Sequence, residues 1–339
     1  MELFVKNWRC IEEVRINLNT ITIFIGRNST GKSSLAYAPY FLAKVAEWRD
    51  VNKILLHLYG INLEEVLRRD KDEICYPGII EVEGYRFEAD IETVNIPDRS
   101  PWKNAYLLPS IRTTLIKFSQ FLARHEFIQK LMKTPEGKAI LSFIQALFEL
   151  IKSVPFLPPT LLFFEDLMKL YGVETRDRRQ ISELGVLHEQ ISPMLLLLLY
   201  QYEDIYTKLK LPLHLAPDGF IDTTLISTFI EKAENESLIV IEEPEIHKNP
   251  IQIIDLVKNI VNMALEKDLT VIMTTHSDIL LHAVAKAVEE KEIESNKISI
   301  YYLIRNKEDP WTKVKELKIY DDGTFDEIPD AEEVISKLF

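Results

Sequence analysis

Gly26-Arg27-Asn28-Ser29-Thr30-Gly31-Lys32-Ser33 fits the pattern G-x-x-x-x-G-K-[ST] at every position. The run before it, Ile21-Thr22-Ile23-Phe24-Ile25, is apolar and β-branched and predicts a buried strand. Ser34-Leu35-Ala36-Tyr37-Ala38 after it predicts a helix. Strand, glycine-bounded loop and helix form the context in which this pattern makes a phosphate site. The loop amides and the positive end of the helix dipole both favour a polyphosphate. Gly26, Arg27, Asn28, Ser29, Thr30, Gly31, Lys32, Ser33 and Ser34 are therefore the expected cradle. Lys32 would reach the β- and γ-phosphates, and the Ser33 hydroxyl would ligate Mg2+. Glycine is scarce, 10 residues in 339, against a usual share of about 7%; two of the ten stand at this spacing.

A second pattern lies far downstream. Leu238-Ile239-Val240-Ile241 reads as a buried strand and runs into Glu242-Glu243-Pro244-Glu245. Adjacent carboxylates at a strand end complement a phosphate loop: Glu242 is expected to hold Mg2+, and Glu243 to align and polarise the attacking water. The next strand, Leu269–Met273, runs into Thr274-Thr275-His276-Ser277. A neutral His276 imidazole there would bond the γ-phosphate or the water. Ser277 has the chemistry of a cap for the helix predicted over Asp278–Val288.

Composition bounds the rest. Apolar residues make up 47% and charged residues 27% of the chain, the profile of a soluble globular protein. Cys10 and Cys75 stand alone, and the seven His show no ligand spacing, which argues against a disulfide framework and a structural zinc site. The net charge of −13 disfavours a basic nucleic-acid coat. Local basic strips remain at Arg68-Arg69 with Lys71, at Arg176–Arg179 and at Lys313/Lys315/Lys318. Met1-Glu2-Leu3-Phe4 lacks a basic n-region, so no signal peptide is expected, and Met194–Tyr200 is far short of the ~20 residues a bilayer span needs. A cytoplasmic protein with no membrane partner is expected.

Along the chain, strands are predicted at Leu3–Lys6, Val14–Leu18 and Ile21–Ile25. Helix follows to about Asp50, kinked at Pro39, and again to about Lys71. A hairpin is predicted from Ile79–Val82 and Arg86–Thr93 around Glu83-Gly84-Tyr85. From Ser110 to Leu211 apolar residues recur at helical spacing, as in Leu115, Phe118, Leu122 and Ile140, Ile144, Leu147, Phe148, Ile151, with breaks at Pro155, Pro158 and Pro159. The α/β pattern then returns, with a helix over Ile251–Glu266 and strands at Ile298–Ile304 and Val314–Tyr320 before an Asp321-Asp322-Gly323 turn. The expected class is α/β, with a mixed sheet, an antiparallel β subdomain and an inserted helical subdomain. Residues 1–109 and 212–339 would form the nucleotide-binding lobe and 110–211 the insertion.

The phosphate loop, the insertion, Ile241-Glu242-Glu243-Pro244-Glu245-Ile246-His247 and Thr274-Thr275-His276-Ser277 together resemble ABC-type ATPase heads of the SMC group. They are most similar to the ATPase domain of OLD (overcoming lysogenization defect) nucleases and their free-standing relatives. Asn7-Trp8-Arg9 is similar to the N-F-R opening, which implies that Arg9 lies near the nucleotide. Tyr106-Leu107-Leu108-Pro109 with Arg112 resembles the Y-x-x-P…R segment, and Ile300–Phe325 the C-terminal strands. The resemblance covers most of the chain and implies ATP and Mg2+ as ligands, hydrolysis, and ATP-driven head-to-tail dimers. In such dimers an L-S-x-G-x loop closes on the partner's nucleotide. Its match is Ala216-Pro217-Asp218-Gly219-Phe220, where Gly219 and the helix start offer amides but Pro217 replaces the serine. Gln120 and Gln129 fall in helical pattern rather than at a Q-loop. Neither a Toprim nuclease segment nor long coiled-coil arms are expected in these 339 residues, so the resemblance implies DNA or a separately encoded nuclease or effector as the partner, in repair or antiviral defence.

Two other functions fit parts of the pattern. A small-molecule P-loop kinase would use the same loop and treat Arg176–Arg179 as a lid, but Glu243 suits water better than a metabolite. An ATP-sensing assembly module without turnover would follow from Pro217.

Overall fold

The computed structural model describes residues 1–117, 159–171, 178–182, 185–188 and 201–329. Phe118, Leu122, the periodic residues 140–151, Pro155, Pro158, Arg176, the 194–200 run, Gln120 and Gln129 lie outside them. The chain divides into two compact units. One comprises Met1–Leu55, Ile61–Leu108 and Ile230–Phe339; the other comprises Leu56–Gly60 and Pro109–Phe229.

The first unit opens with β1 (Glu2–Trp8), β2 (Ile11–Asn17) and β3 (Ile21–Ile25). Helices α1 (Lys32–Trp48), α2 (Val51–Tyr59) and α3 (Leu63–Val66) follow. α1 runs through Pro39 without a break in helical assignment. The helix expected to reach Lys71 does not. α2 ends at Gly60 with φ +72, and α3 is one turn closed by an Asn62–Glu65 capping box. The chain then turns extended, because Leu67 bridges Trp8 and the Arg68 N–H donates to Asn7 O. Pairing to the C-terminal end of β1 outweighs the helical pattern.

Short strands β4 (Arg69–Asp70) and β5 (Glu73–Ile74) pair with each other. The predicted hairpin is β6 (Gly78–Val82) and β7 (Tyr85–Ala89). Its two-residue loop, Glu83 and Gly84, has φ +49 and +82, the conformation that matches strand twist. β7 stops at Ala89, and β8 (Val94–Asn95) folds back on it. These strands form an antiparallel sheet in the order β2-β1-β6-β7-β8. β9 (Ala105–Leu108) leads to the second unit.

In that unit a helix occupies 112–117, and α4 spans Thr160–Tyr171. The all-helical expectation fails at 178–182, 185–188, 201–204 and 210–212. There β10 (Arg178–Ser182), β11 (Gly185–His188), β12 (Gln201–Asp204) and β13 (Lys210–Pro212) form a four-stranded antiparallel sheet. Turn chemistry accounts for part of this. Asp204 Oδ1 accepts from the Thr207 N–H at 2.7 Å, the Thr207 hydroxyl at 2.8 Å and the Tyr206 N–H at 3.1 Å, which bends the chain between β12 and β13. α5 (Asp218–Lys232) closes the unit and leads back to the first.

The chain re-enters the first unit through β14 (Leu238–Glu242), α6 (Pro250–Lys267), β15 (Thr270–Thr275), α7 (Asp278–Glu289), β16 (Ile298–Ile304) and β17 (Lys313–Leu317). The central sheet has the order β17-β16-β3-β15-β14-β9, parallel except for β17. β3, β14 and β15 are buried at every residue, as a strand covered on both faces must be. α1 packs on β3, β9, β14 and β15 on one side and on β1 and β6 on the other. This position between two sheets explains its unbroken run of buried residues from Ser34 to Val45. Trp8 anchors the layer, with its ring 4.9 Å from Phe41 and 6.0 Å from Phe87. The α/β class with a mixed sheet and an antiparallel subdomain is thus the fold observed. The Asp321–Gly323 turn closes a single bridge between Ile319 and Phe325, not the β16–β17 hairpin.

Candidate functional site

Parallel strands deliver their chain ends to one edge of the sheet. β3 ends at Ile25, β14 at Glu242 and β15 at Thr275. Because β15 lies between β3 and β14, the loop after β3, the Glu242-Glu243 corner and His276 converge.

The loop after β3 has the form its sequence predicts. Arg27, Asn28 and Ser29 are exposed, and Thr30 and Lys32 are buried. Gly31 has φ +100 and precedes the first turn of α1. Lys32 Nζ donates to Gly26 O and Arg27 O, each at 2.8 Å, so the ammonium is held by the loop's own carbonyls. The same Nζ lies 3.2 Å from His276 Nδ1. An ammonium only donates, so Nδ1 accepts and the ring proton belongs on Nε2. Nε2 stands 3.1 Å from Glu243 Oε1, and the two side chains are 36% and 28% exposed. The imidazole thus spans Lys32 and Glu243 while staying open to solvent.

Ser33 and Glu242 make the other junction. Ser33 Oγ donates to Glu242 Oε1 at 2.5 Å, and Glu242 is 9% exposed. A hydroxyl and a carboxylate oxygen side by side are the hard donors that Mg2+ takes beside phosphate oxygens and water. Among the described residues no group of three or more His, Cys, Asp or Glu side chains is arranged to hold a metal unaided. Burial lowers the Lys32 pKa to about 8, against the partial restoring pull of Glu243, Glu242 and Glu245.

Glu243 has φ +45, a conformation costly for a non-glycine residue and concentrated at functional corners. Its N–H donates to Thr274 O at 2.9 Å, which pins the corner to β15. Ser277 caps α7 as expected, accepting from the Ile279 N–H at 3.2 Å.

Residues without a local motif brace the loop. Thr312 Oγ1 donates to Thr30 O at 2.9 Å, and the Thr312 N–H donates to Cys10 O at 2.9 Å. Arg305 Nη1 donates to Ser29 O at 3.2 Å. Cys10 Sγ lies 3.8 Å from Ser34 Oγ. No sequence signal marks these residues, because their roles come from packing between distant segments. Arg9, in the tight β1–β2 turn with φ +52, is exposed, and its N–H donates to Val66 O.

Gly219 is buried in the first turn of α5, in the second unit. Pro217 O accepts from the Phe220 and Ile221 N–H groups, and Pro217 itself is exposed. Arg112 is fully buried and paired with Asp222. In the Arg68 strip, the Arg68 guanidinium contacts Glu12 at 3.5 Å, bonds Asn7 and stacks 4.6 Å from the Trp311 ring centre, while Arg69 and Lys71 are exposed. Among the described residues no helix is long and apolar enough to cross a membrane.

A sequence profile described as the AAA ATPase domain matches residues 1–153. No curated protein matches the chain. Three solved structures align with nearly all of it. The first is an SmcHead bound to the C-winged helix domain of ScpA, at 13% identity and TM-score 0.49, covering 94% of this chain and 97% of that one. The second is the SMC head domain from Thermotoga maritima, at 9% and 0.42, covering 94% and 98%. The third is an Smc head with an extended coiled coil bound to the C-terminal domain of ScpA derived from Pyrococcus furiosus, at 12% and 0.46, covering 99% and 98%. The profile match takes in the phosphate loop and stops short of the Glu242-Glu243 corner and His276.

Proposed function

We propose that the chain binds Mg·ATP and hydrolyses it. The observation that carries this is a pair of contacts: Lys32 to Glu243 through His276, and Ser33 to Glu242 directly. Residues 26–34 cradle the phosphates with their amides, and Arg9 lies at the nucleotide's edge. On phosphate binding Lys32 exchanges its bonds to Gly26 O and Arg27 O for phosphate oxygens. Ser33 and Glu242 would hold Mg2+, which when bound would supply charge neutralisation for the phosphates. Glu243 orients the attacking water and accepts its proton. His276 donates Nε2–H to Glu243 before the reaction and holds the water or the γ-phosphate during it.

Mg·ATP binding and hydrolysis are coupled to a conformational change or dimerisation that acts on DNA or a partner effector, in repair or defence, with binding associating two copies and hydrolysis resetting them. Residues 1–109 and 212–339 serve as the nucleotide-binding lobe, with Gly219 offering amides to a second copy's nucleotide. The test is ATP turnover and molecular mass with and without ATP, in the presence of single- and double-stranded DNA. Expected results are acceptor-free phosphate release, ATP-dependent mass doubling and DNA stimulation. ATP binding without turnover under all of these conditions, with partners added, overturns hydrolysis in favour of a sensing module.

A further inference from the structure

We infer that Glu245 is the residue that positions His276. This rests on the role given to His276 above. Glu245 stands just past the catalytic corner, and its side chain turns back onto the end of β15. Its Oε1 accepts a short hydrogen bond from the Thr275 hydroxyl. Thr275 is fully buried, and its Oγ1 accepts from the Ser277 N–H at 2.9 Å. His276 lies between Thr275 and Ser277, so its turn is closed on the Thr275 hydroxyl, which the Glu245 carboxylate holds. The N–H groups of Glu245 itself and of His276 also favour the charged carboxylate. The second oxygen, Oε2, is buried with no partner.

The chemistry suits the task. Every neighbour that stabilises this group is a donor: one hydroxyl and two backbone amides. A carboxylate only accepts, so it satisfies all of them without offering a competing proton. Its retention is costly, since burial and the nearby Glu243 charge both push its pKa up. Fixing the backbone of the turn sets the direction of the His276 Cα–Cβ bond, and the contacts of the ring to Lys32 and Glu243 then select its two side-chain torsions. His276 must present Nδ1 to Lys32 and Nε2 to Glu243 at once, which allows little rotation of the turn. Glu245 therefore acts through His276 and is a positioning residue, not a catalytic one.

Three measurements on the full chain test this. Glu245→Ala lowers kcat at least tenfold and leaves ATP affinity within about twofold. In a His276→Ala background the same change has no further effect on kcat. Glu245→Gln, which keeps an acceptor for Thr275, recovers part of the loss and shows that the alanine variant failed locally and not by unfolding. Additive losses in the double variant overturn the proposal. The third readout needs no turnover: 15N spectra of the imidazoles, with the His276 signals identified by their loss in His276→Ala. The wild-type ring is expected in the single Nε2–H tautomer, and in Glu245→Ala it averages between tautomers. An unchanged ring in Glu245→Ala overturns the proposal even if the protein hydrolyses nothing, so its failure is separable from that of the ATPase assignment.

Discussion

Lys32 and Glu243 are held at the two nitrogens of one ring. The Lys32 ammonium is 3.2 Å from His276 Nδ1, and the Glu243 carboxylate is 3.1 Å from His276 Nε2. In the proposed mechanism the bridge orders the carboxylate assigned to the water against the lysine assigned to the phosphates before substrate arrives. Positioned acid–base groups contribute about 10²–10⁴-fold to rate. His276→Ala is thus expected to lower kcat by about 10²-fold with little change in ATP affinity. Glu243→Gln keeps ATP binding and loses turnover by about 10³-fold or more. Steady-state kinetics paired with equilibrium nucleotide binding separate the two effects, and full turnover in the Glu243 variant removes that residue from its role.

The low pKa of Lys32, about 8 against an ordinary 10.5, arises chiefly from burial. Bound phosphates favour the charged ammonium and lift the value again. Binding of Mg and a non-hydrolysable ATP analogue therefore takes up protons above about pH 8, and affinity falls as pH rises through that region. Titration calorimetry in buffers of different ionisation enthalpy reads the uptake directly, with a large value expected near pH 9 and a small one near pH 7. The sign for folding is fixed by the same shift. A lysine whose folded pKa is depressed contributes stability present above its unfolded pKa and lost as pH falls through about 8. In the nucleotide-free protein, Lys32→Met is accordingly expected to raise the melting temperature more at pH 7 than at pH 10. Proton release on binding, or no difference between the two pH values, contradicts this account of Lys32.

The phosphate loop was legible because its determinants are contiguous: a β-branched strand, two glycines and a helix start all lie within residues 21–38. Glu242, Glu243 and His276 were legible as strand-end residues. That they meet depends on β15 sitting between β3 and β14, a fact of sheet order. Thr312, Arg305 and Cys10 gave no signal, since each braces the loop through a bond to a distant backbone oxygen or hydroxyl. The helical pattern through Lys71 misled because Leu67 and Arg68 find a partner strand in β1. Of the strands in the second unit, the β12–β13 pair was missed because a single Asp204 side chain bends the chain there, a turn that apolar spacing does not register.

The 2.5 Å bond from Ser33 to Glu242 sets an expectation for metal dependence. The proposed function assigns both oxygens to one Mg2+, so Ser33→Ala and Glu242→Gln should each raise the Mg2+ concentration needed for half-maximal turnover by at least about tenfold, in line with losses seen when metal-site residues are changed. Chelation should abolish turnover in all three proteins. A Mg2+ titration that is unmoved in either variant takes that residue out of the metal site.

Gly31 links loop conformation to its brace. Its φ of +100 disfavours any side chain, and an added Cβ would lie 2.5 Å from Thr312 Oγ1 and 2.9 Å from Cys10 Sγ. Gly31→Ala therefore combines backbone strain of about 1–3 kcal/mol with a clash against the group that holds Thr30 O. ATP affinity should fall by more than tenfold. Adding Thr312→Ala removes the nearer clash but not the strain, so the double variant recovers only part of the affinity. Recovery to the wild-type value would mean that the clash, and not the left-handed conformation, fixes glycine here.

Arg112 shows a strong interaction remote from phosphate chemistry. Its Nε is 2.6 Å from Asp222 Oδ1, Nη2 donates to Oδ2 at 3.0 Å, and the side chains are 0% and 1% exposed. Thr113 Oγ1 also donates to Asp222 Oδ1, at 3.2 Å, and Arg112 Nη1 to Pro109 O at 3.0 Å. The pair ties the segment after β9 to the second turn of α5 inside the second unit. Removing one partner leaves a buried charge uncompensated, which costs about 3–5 kcal/mol. Arg112→Met and Asp222→Leu should each destabilise the protein by that amount in denaturant unfolding. Together they replace a desolvated ion pair with apolar groups of similar volume, so the double variant should regain most of the loss. Additive destabilisation would show instead that Thr113 and Pro109, left without their partners, contribute more to this junction than the ion pair does.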